Sequence, residues 1–244
     1  MLKISLLSGW LLSATLFAGA QRTITIEHTN YTNLYDTSQC SEIQGFYVQT
    51  AAHAAITTNS KDPKYVARKG AFAKFTNDPK TPNACKLNYA SSYSTFNKDF
   101  KGDLQHRVDQ GHVNPYGAFN YDETAALETN YFTNVCPQIS HFNESQWRMV
   151  EAYVLKVSAQ FGDVKVYTGV LVSNKHPKKV GVLFMPDFYW KLIEYTKDGN
   201  AMQECWLGPN KPTNTGTKPA DIADTVAHLK KVILQYYPAF KFDF

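Results

Sequence analysis

The stretch that decides the fold is residues 109–151, which holds DQGHVNP at 109–115, NVCPQ at 134–138, FNESQW at 142–147 and Glu151. Asn143 is a residue type that favours the N-cap of a helix, and Gln146 three positions later completes a capping-box pattern. Asn143, Trp147 and Glu151 are four residues apart, which places them on one helix face. An amide oxygen and a carboxylate on that face suit a hard cation or its bound water.

His112 follows a glycine and precedes a proline turn, so we expect its ring at a loop edge near the mouth of that helix. A neutral imidazole whose pKa lies near the working pH is suited to taking a proton from water. Asp109 is close enough in the chain to orient a ring or a backbone group. A surface or core histidine and an ordinary helix cap also explain His112 and Asn143, so residue types alone leave both interpretations open.

Periodicity elsewhere predicts an α+β domain with a mainly antiparallel sheet. Helical spacing of apolar residues predicts helices over 143–160 and 219–236, with Pro219 near the start of the second and Pro238 just after its end. We expect Trp147 to be a packing residue of the first helix. The segment 208–219 reads as a long polar loop. Alternating apolar residues predict strands at about 23–27, 45–50, 164–173, 180–185, 188–196 and 202–207.

The N-terminal segment has the pattern of a secretory signal peptide. Lys3 precedes an apolar run from Ile4 to Phe17 and a small-residue end at 18–20. The run is shorter than the roughly 20 residues of a spanning helix; a buried N-terminal helix is the alternative. We therefore expect a signal peptide over 1–20, a single domain over 21–244 without linker or repeat, and a secreted, extracellular product.

Four cysteines follow that segment, and an even number in an exported chain predicts two disulfides of open connectivity. A zinc site is the alternative, although no two cysteines have the C-x-x-C spacing. The four are Cys40, Cys85, Cys136 and Cys205.

Charge and glycosylation signals are less specific. The formal net charge is +4 and becomes +3 when Lys3 is removed, which weakly favours an anionic partner. The sequon at 30–32 is a plausible glycan acceptor. The sequon at 143–145 conflicts with a binding role for Asn143, so we expect it to stay unmodified.

The ordered blocks Asp-x-Gly-His-x-x-Pro, Asn-x-x-Pro-Gln and Asn-x-x-x-Trp-x-x-x-Glu resemble the DNA/RNA non-specific endonuclease family, whose members carry a ββα-metal (His-Me finger) site. The blocks VYTGV at 166–170 and MPDFYWK at 185–191 continue the resemblance, which covers roughly residues 45–236. It implies a ββα-metal core with flanking helices, and an endonuclease that hydrolyses DNA and RNA with little sequence preference.

The resemblance also implies roles for individual residues. His112 corresponds to the general base and Asn143 to the only direct protein ligand of a Mg²⁺ or Mn²⁺ ion. Glu151 corresponds to the carboxylate that holds water on the metal. Asn134 corresponds to an amide that positions the histidine or the cluster around it. The expected product carries a 5′ phosphate, and binding through phosphates should weaken steeply with salt.

This chain departs from the family pattern at the phosphate-binding cations. Most members have arginine where Gln110 stands, and a neutral amide cannot offer the same charge; Gln110 and Asp109 are expected on the substrate side. For the upstream phosphate clamp Arg68 is the first candidate and Lys74 the second. The departure motivates an alternative, a catalytically weak nuclease-fold protein that acts as a nucleic-acid-binding or interaction module. A secreted module unrelated to nucleases is a third hypothesis.

Overall fold

The computed structural model describes residues 23–173, 178–212 and 218–244. Its framework is a seven-stranded sheet of order β1-β2-β3-β6-β9-β10-β11, in which every neighbouring pair is antiparallel. The strands are β1 Thr23–Glu27, β2 Thr32–Asp36, β3 Ser41–Gln49, β6 Val164–Leu171, β9 Phe188–Lys197, β10 Asn200–Pro209 and β11 Ala223–Asp224. The predicted α+β class is confirmed.

Helices complete the domain between and beside the strands. The helices are α1 Ala51–Thr57, α2 Tyr89–Asn97, α3 Tyr116–Phe119, α4 Glu123–Thr129, α5 Ser140–Phe142, α6 Arg148–Phe161 and α7 Val226–Tyr236. A π-helical turn, Asn143–Trp147, joins α5 to α6. No helix among the described residues is long and apolar enough to cross a bilayer.

The central strands are buried on both faces because successive side chains point to opposite sides of a sheet. In β9, Tyr189 and Ile193 pack in one core cluster with Val154 of α6. The alternate residues Trp190 and Leu192 pack in a second cluster, which also holds Leu229 and Ile233 of α7. Helices α6 and α7 therefore cover opposite faces of the sheet, and Lys191 faces the α6 side.

The ββα unit lies on that α6 side. Strands β4, Val108–His112, and β5, Val135–Ile139, form a separate antiparallel pair with His112 opposite Val135. The chain passes directly from Ile139 into α5, so β4, β5 and the helix that follows form the predicted ββα core.

Several predicted boundaries are wrong. The first helix begins at Ser140, so Asn143 has helical dihedrals and lies inside the helix instead of at its N-cap. The last helix begins at Val226, where Thr225 caps it through the His228 amide; the segment from Pro219 forms only a 3₁₀ turn and β11. Residues 213–217 of the predicted polar loop lie outside the described residues.

The predicted strand 180–185 is also wrong. Two-residue strands β7, Lys179–Val180, and β8, Leu183–Phe184, pair with each other across a tight turn. Gly181 has φ +60° in this turn, a conformation that glycine adopts without strain.

The prediction of two disulfides is wrong. Cys40 and Cys85 form one disulfide, whereas Cys136 and Cys205 are buried free thiols. Cys136 packs in the core cluster on the α6 side and Cys205 in the cluster on the α7 side. The two are therefore held in different cores. The predicted signal segment 1–20 lies outside the described residues.

Candidate active site

His112 ends β4, and its ring is only 9% exposed. Nε2 lies 3.1 Å from Asn130 Oδ1. The Asn130 amide is oriented by its own Nδ2, which donates to the Phe72 carbonyl at 2.9 Å, so its oxygen faces the histidine. The proton of the neutral ring therefore sits on Nε2, and Nδ1 is left to accept a proton.

The protonation state of His112 follows from its surroundings. Burial, together with the nearby Arg68 charge, lowers the pKa of His112 to about 3, and the Asn130 hydrogen bond opposes this only in part. The ring is neutral at physiological pH, as a general base must be before it takes a proton. Sequence reasoning missed Asn130, since nothing in its spacing marks it out.

Asn134 fixes the chain that follows His112. Its Oδ1 accepts from the Asn114 amide at 2.7 Å, and its Nδ2 donates to the carbonyls of Asn114 and Thr129. Its own carbonyl accepts from the Val113 amide at 2.9 Å. Asn134 thus ties the residues after His112 to the residue before Asn130, and so holds together the two segments that carry the pair.

A buried carboxyl group supports this cluster from β3. Glu42 is fully buried, and its Oε1 accepts from Asn114 Nδ2 at 2.7 Å. Burial raises the pKa of Glu42 well above its usual range, and the Asn114 hydrogen bond and the Lys191 charge oppose that rise. Glu42 thus joins β3 to the residues that follow His112 through its hydrogen bond to Asn114.

Asp109 connects β4 to the π-helical turn. Its Oδ2 accepts from Asn143 Nδ2 at 2.9 Å, and its Oδ1 accepts from Ser140 Oγ at 2.6 Å. Because the amide nitrogen of Asn143 is committed to a carboxylate, the amide Oδ1 must point the other way. Asp109 is thus a positioning residue for Asn143 and not itself the ring-orienting partner of His112.

An open cavity of about 470 Å³ lies against these residues. It is lined by Arg68, Phe75, Tyr93, Asn97, Arg107, Val108, Asp109, Gln110, Asn143 and Glu144. His112 is not among these lining residues, and its ring centre lies 5.1 Å from that of Phe75, which is one of them. Of the two candidate clamps, Arg68 lines the cavity and Lys74 does not. Arg107 and Glu144 are lining residues that sequence reasoning missed, because Arg107 lies outside every recognised block and Glu144 is a variable position within one.

Arg68 is the exposed cation shared by the cavity and the histidine. Its guanidinium lies 5.3 Å from the centre of the Phe75 ring and 5.5 Å from that of Tyr116. These aromatic faces hold the cation near the cavity. Its charge also lowers the pKa of both His112 and Glu151.

Glu151 of α6 does not line this cavity but a smaller, mostly apolar one, together with Tyr47 and Ala118. Burial raises its pKa, and the charges of Lys191 and Arg68 oppose that rise. Lys191 is fully buried and donates to Thr168 Oγ1 at 3.2 Å. Trp147 is fully buried against Phe142 and Tyr189, as expected for a packing residue.

Comparison with known proteins identifies the family to which this arrangement of strands, helix and polar residues belongs. The model of the DNA/RNA non-specific endonuclease family matches residues 12–236. The chain belongs to this family. It is 32% identical over 181 residues to the mitochondrial nuclease EXOG of Mus musculus, covering 68% of this chain and 46% of that protein.

Other relatives agree with the family. The chain is 31% identical over 130 residues to the mitochondrial endonuclease G of Homo sapiens, covering 48% of this chain and 43% of that protein. The chain therefore spans less than half the length of these two relatives. A chain from the crystal structure of the EndoG/EndoGI complex superposes with a TM-score of 0.69 over 86% of this chain and 83% of that one, at 19% identity. That likeness shows the shared fold.

The residues present fit the divalent ion that the family implies. Asn143 offers a neutral amide oxygen turned away from Asp109 by the 2.9 Å hydrogen bond. Glu144 is an exposed carboxylate beside it in the cavity lining. Mg²⁺ prefers oxygen ligands, keeps several waters and needs few protein ligands. One amide oxygen at an open cavity meets those requirements.

Proposed function

We propose that this chain is a secreted, divalent-metal-dependent endonuclease that hydrolyses phosphodiester bonds of DNA and RNA with little sequence preference. The observation that carries the proposal is the matched orientation of two side chains. Asn130 leaves His112 Nδ1 as the only basic ring nitrogen, and Asp109 leaves Asn143 Oδ1 as the only free amide atom. The cation ligand Asn143 lines the open cavity, and the base His112 packs against Phe75, which also lines it.

His112 acts as the general base in this proposal. Its Nδ1 takes a proton from the attacking water, and the imidazolium that forms is stabilised through Nε2–H by the Asn130 oxygen. Positioned acid–base groups of this kind contribute about 10²- to 10⁴-fold in rate. The low pKa of His112 keeps the ring unprotonated before each turnover.

Asn143 would hold Mg²⁺ or Mn²⁺, and the bound ion would supply charge neutralisation at the phosphate and the leaving oxygen. Arg68, which lines the same cavity, would contact the substrate phosphate. Neither group reads a base edge, so the proposal expects recognition of the backbone alone. Affinity should then fall steeply as salt rises.

The compartment is part of the proposal and rests on the N-terminal sequence pattern. Both named relatives are mitochondrial proteins by their names, so import into an organelle is the competing destination. Mass spectrometry of protein recovered from the medium of expressing cells should find Gln21 as the first residue. Retention inside the cell with residues 1–20 intact would refute secretion.

The activity is tested with plasmid and RNA substrates in Mg²⁺, in Mn²⁺ and with a chelator. We expect degradation that the chelator abolishes. His112→Ala should lower the rate by about 10²- to 10⁴-fold, and Asn143→Ala should remove the response to metal. His228→Ala and Asn200→Ala are matched controls, since both residues are exposed elsewhere on the fold, and both should retain full activity.

Two results would count against the enzyme. Full activity of His112→Ala would remove the mechanism. Binding of DNA without cleavage under any divalent metal would favour the binding-module alternative, which the neutral Gln110 motivates.

A further inference from the structure

The cavity contains a second arginine that no motif of the family accounts for. Arg107 precedes β4 and lines the same cavity as Arg68, Gln110 and Asn143. Gln110 is a neutral amide in this lining, so it brings no charge to a substrate phosphate. Arg107, directly before β4, brings a positive charge to the same lining.

Arg107 is tied to the metal-ligand residue through one carboxylate. Its Nη2 donates to Asp109 Oδ1 at 3.2 Å, while Asp109 Oδ2 accepts from Asn143 at 2.9 Å. These contacts and the width of a carboxylate keep the guanidinium within about 8 Å of the Asn143 amide. A phosphate bound near Asn143 therefore lies within reach of the arginine.

The ion pair with Asp109 leaves other hydrogen-bond donors of Arg107 available. Asp109 already accepts from Ser140 at 2.6 Å and from Asn143 at 2.9 Å, so both of its oxygens have shorter contacts than the one to Arg107. A guanidinium has five N–H donors, and here one of them contacts the carboxylate. The Arg107 side chain is 38% exposed, which leaves its outer edge open to the cavity.

We propose that Arg107 binds a substrate phosphate and so supplies the positive charge that the neutral Gln110 does not. The planar fork of a guanidinium matches two phosphate oxygens, and such charge-assisted pairs are stronger than neutral hydrogen bonds. The residue is a substrate-binding group of the nuclease site, so the inference rests on the proposed function. When substrate is bound, the Arg107 guanidinium pairs with the phosphate rather than with Asp109.

Binding is tested first, without catalysis. Affinity for a short DNA duplex is measured by fluorescence anisotropy in chelator over a series of salt concentrations. Arg107→Gln should weaken binding by about 10- to 100-fold and reduce the slope of log affinity against log salt by about 0.9, one phosphate contact. Arg107→Lys should lie between that variant and the wild type. Lys231→Gln, an exposed lysine on α7, should match the wild type.

Rescue separates phosphate binding from a structural role. In the Arg107→Gln background, Gln110→Arg should restore kcat/KM on plasmid to within about 3-fold of wild type, because it returns a cation to the same cavity. A residue that only braced Asp109 would not be rescued by a charge at position 110. Failure of the rescue, with the variant folded by thermal melting, would overturn the inference.

The outcome also distinguishes this inference from the proposed function. Wild-type protein that cleaves plasmid, beside an Arg107→Gln variant of unchanged affinity and salt slope, overturns the inference and leaves the nuclease intact. Wild-type protein that neither binds nor cleaves nucleic acid overturns both.

Discussion

Asn130→Asp is the substitution that most directly tests how the base is prepared. It replaces the amide beside His112 by a carboxylate of nearly the same size, 3.1 Å from Nε2. Both residues are buried, so solvent screens the new charge little. In the wild-type protein, burial and the Arg68 charge hold the pKa of His112 at about 3.

The expected effect follows from Coulomb's law. Two unit charges 3.1 Å apart attract by about 5 kcal/mol at an effective dielectric constant of about 20, and 1.36 kcal/mol corresponds to one pKa unit. Part of this attraction offsets the cost of ionising the buried carboxylate. We therefore expect the pKa of His112 to rise into the range of about 5 to 7.

The rise in the pKa of His112 determines the direction in which activity changes with pH. The base acts only when unprotonated, so the variant should lose activity as pH falls through the raised pKa and regain it at higher pH. The wild type should show no such loss from this group above about pH 5. NMR titration of the metal-free protein, with His112→Gln to assign the ring resonance, measures the pKa apart from catalysis.

An uncharged substitution is the control. Asn130→Leu removes the hydrogen bond without adding charge, so it should lower the rate while the pKa of His112 stays low. Two results would refute the reasoning: an Asn130→Asp ring that titrates where the wild-type ring does, or equal pH–rate profiles for the two proteins.

Two stability predictions follow from packing and cross-linking. Gly45→Ala would place a Cβ 2.2 Å from Glu42 Oε1. We expect it to lower the free energy of unfolding, measured by urea titration, by about 3 kcal/mol, the upper range for overpacking. The control Gly117→Ala, whose added Cβ would meet no atom within 4 Å, should be neutral or slightly stabilising. Reduction of Cys40–Cys85, which closes a loop of 45 residues, should cost about 4 kcal/mol in the same assay. Unreduced, denatured protein should titrate with two free thiols; none would show that the second disulfide exists.

The strands of the sheet were predictable from sequence where alternate residues face different hydrophobic cores. Strand β9 was located to within a residue because Trp190 and Leu192 alternate with Tyr189 and Ile193 between two cores. Cap positions were less predictable, since the local preference of Asn143 for an N-cap is overridden by its hydrogen bond to Asp109.

The site was predictable only where a family block carried it. His112 and Asn143 were found through their motifs, whereas Asn130 and Arg107 lie outside every block. Asn130 acquires its role when the chain brings it to the ring from 18 residues away. The π-helical turn Asn143–Trp147 has no marker in the sequence, because π turns form where tertiary contacts stabilise the inserted residue.

Asp109 shows why the base and the substrate-binding groups depend on different parts of the fold. His112 is positioned by Asn130, and the chain that follows it is held by the buried cluster around Asn134. Asp109 instead links two groups at the cavity, since one oxygen orients Asn143 and the other contacts Arg107. A substitution in the buried cluster should therefore act through the base and change kcat, whereas loss of the Asp109 carboxylate should disturb metal and phosphate binding together.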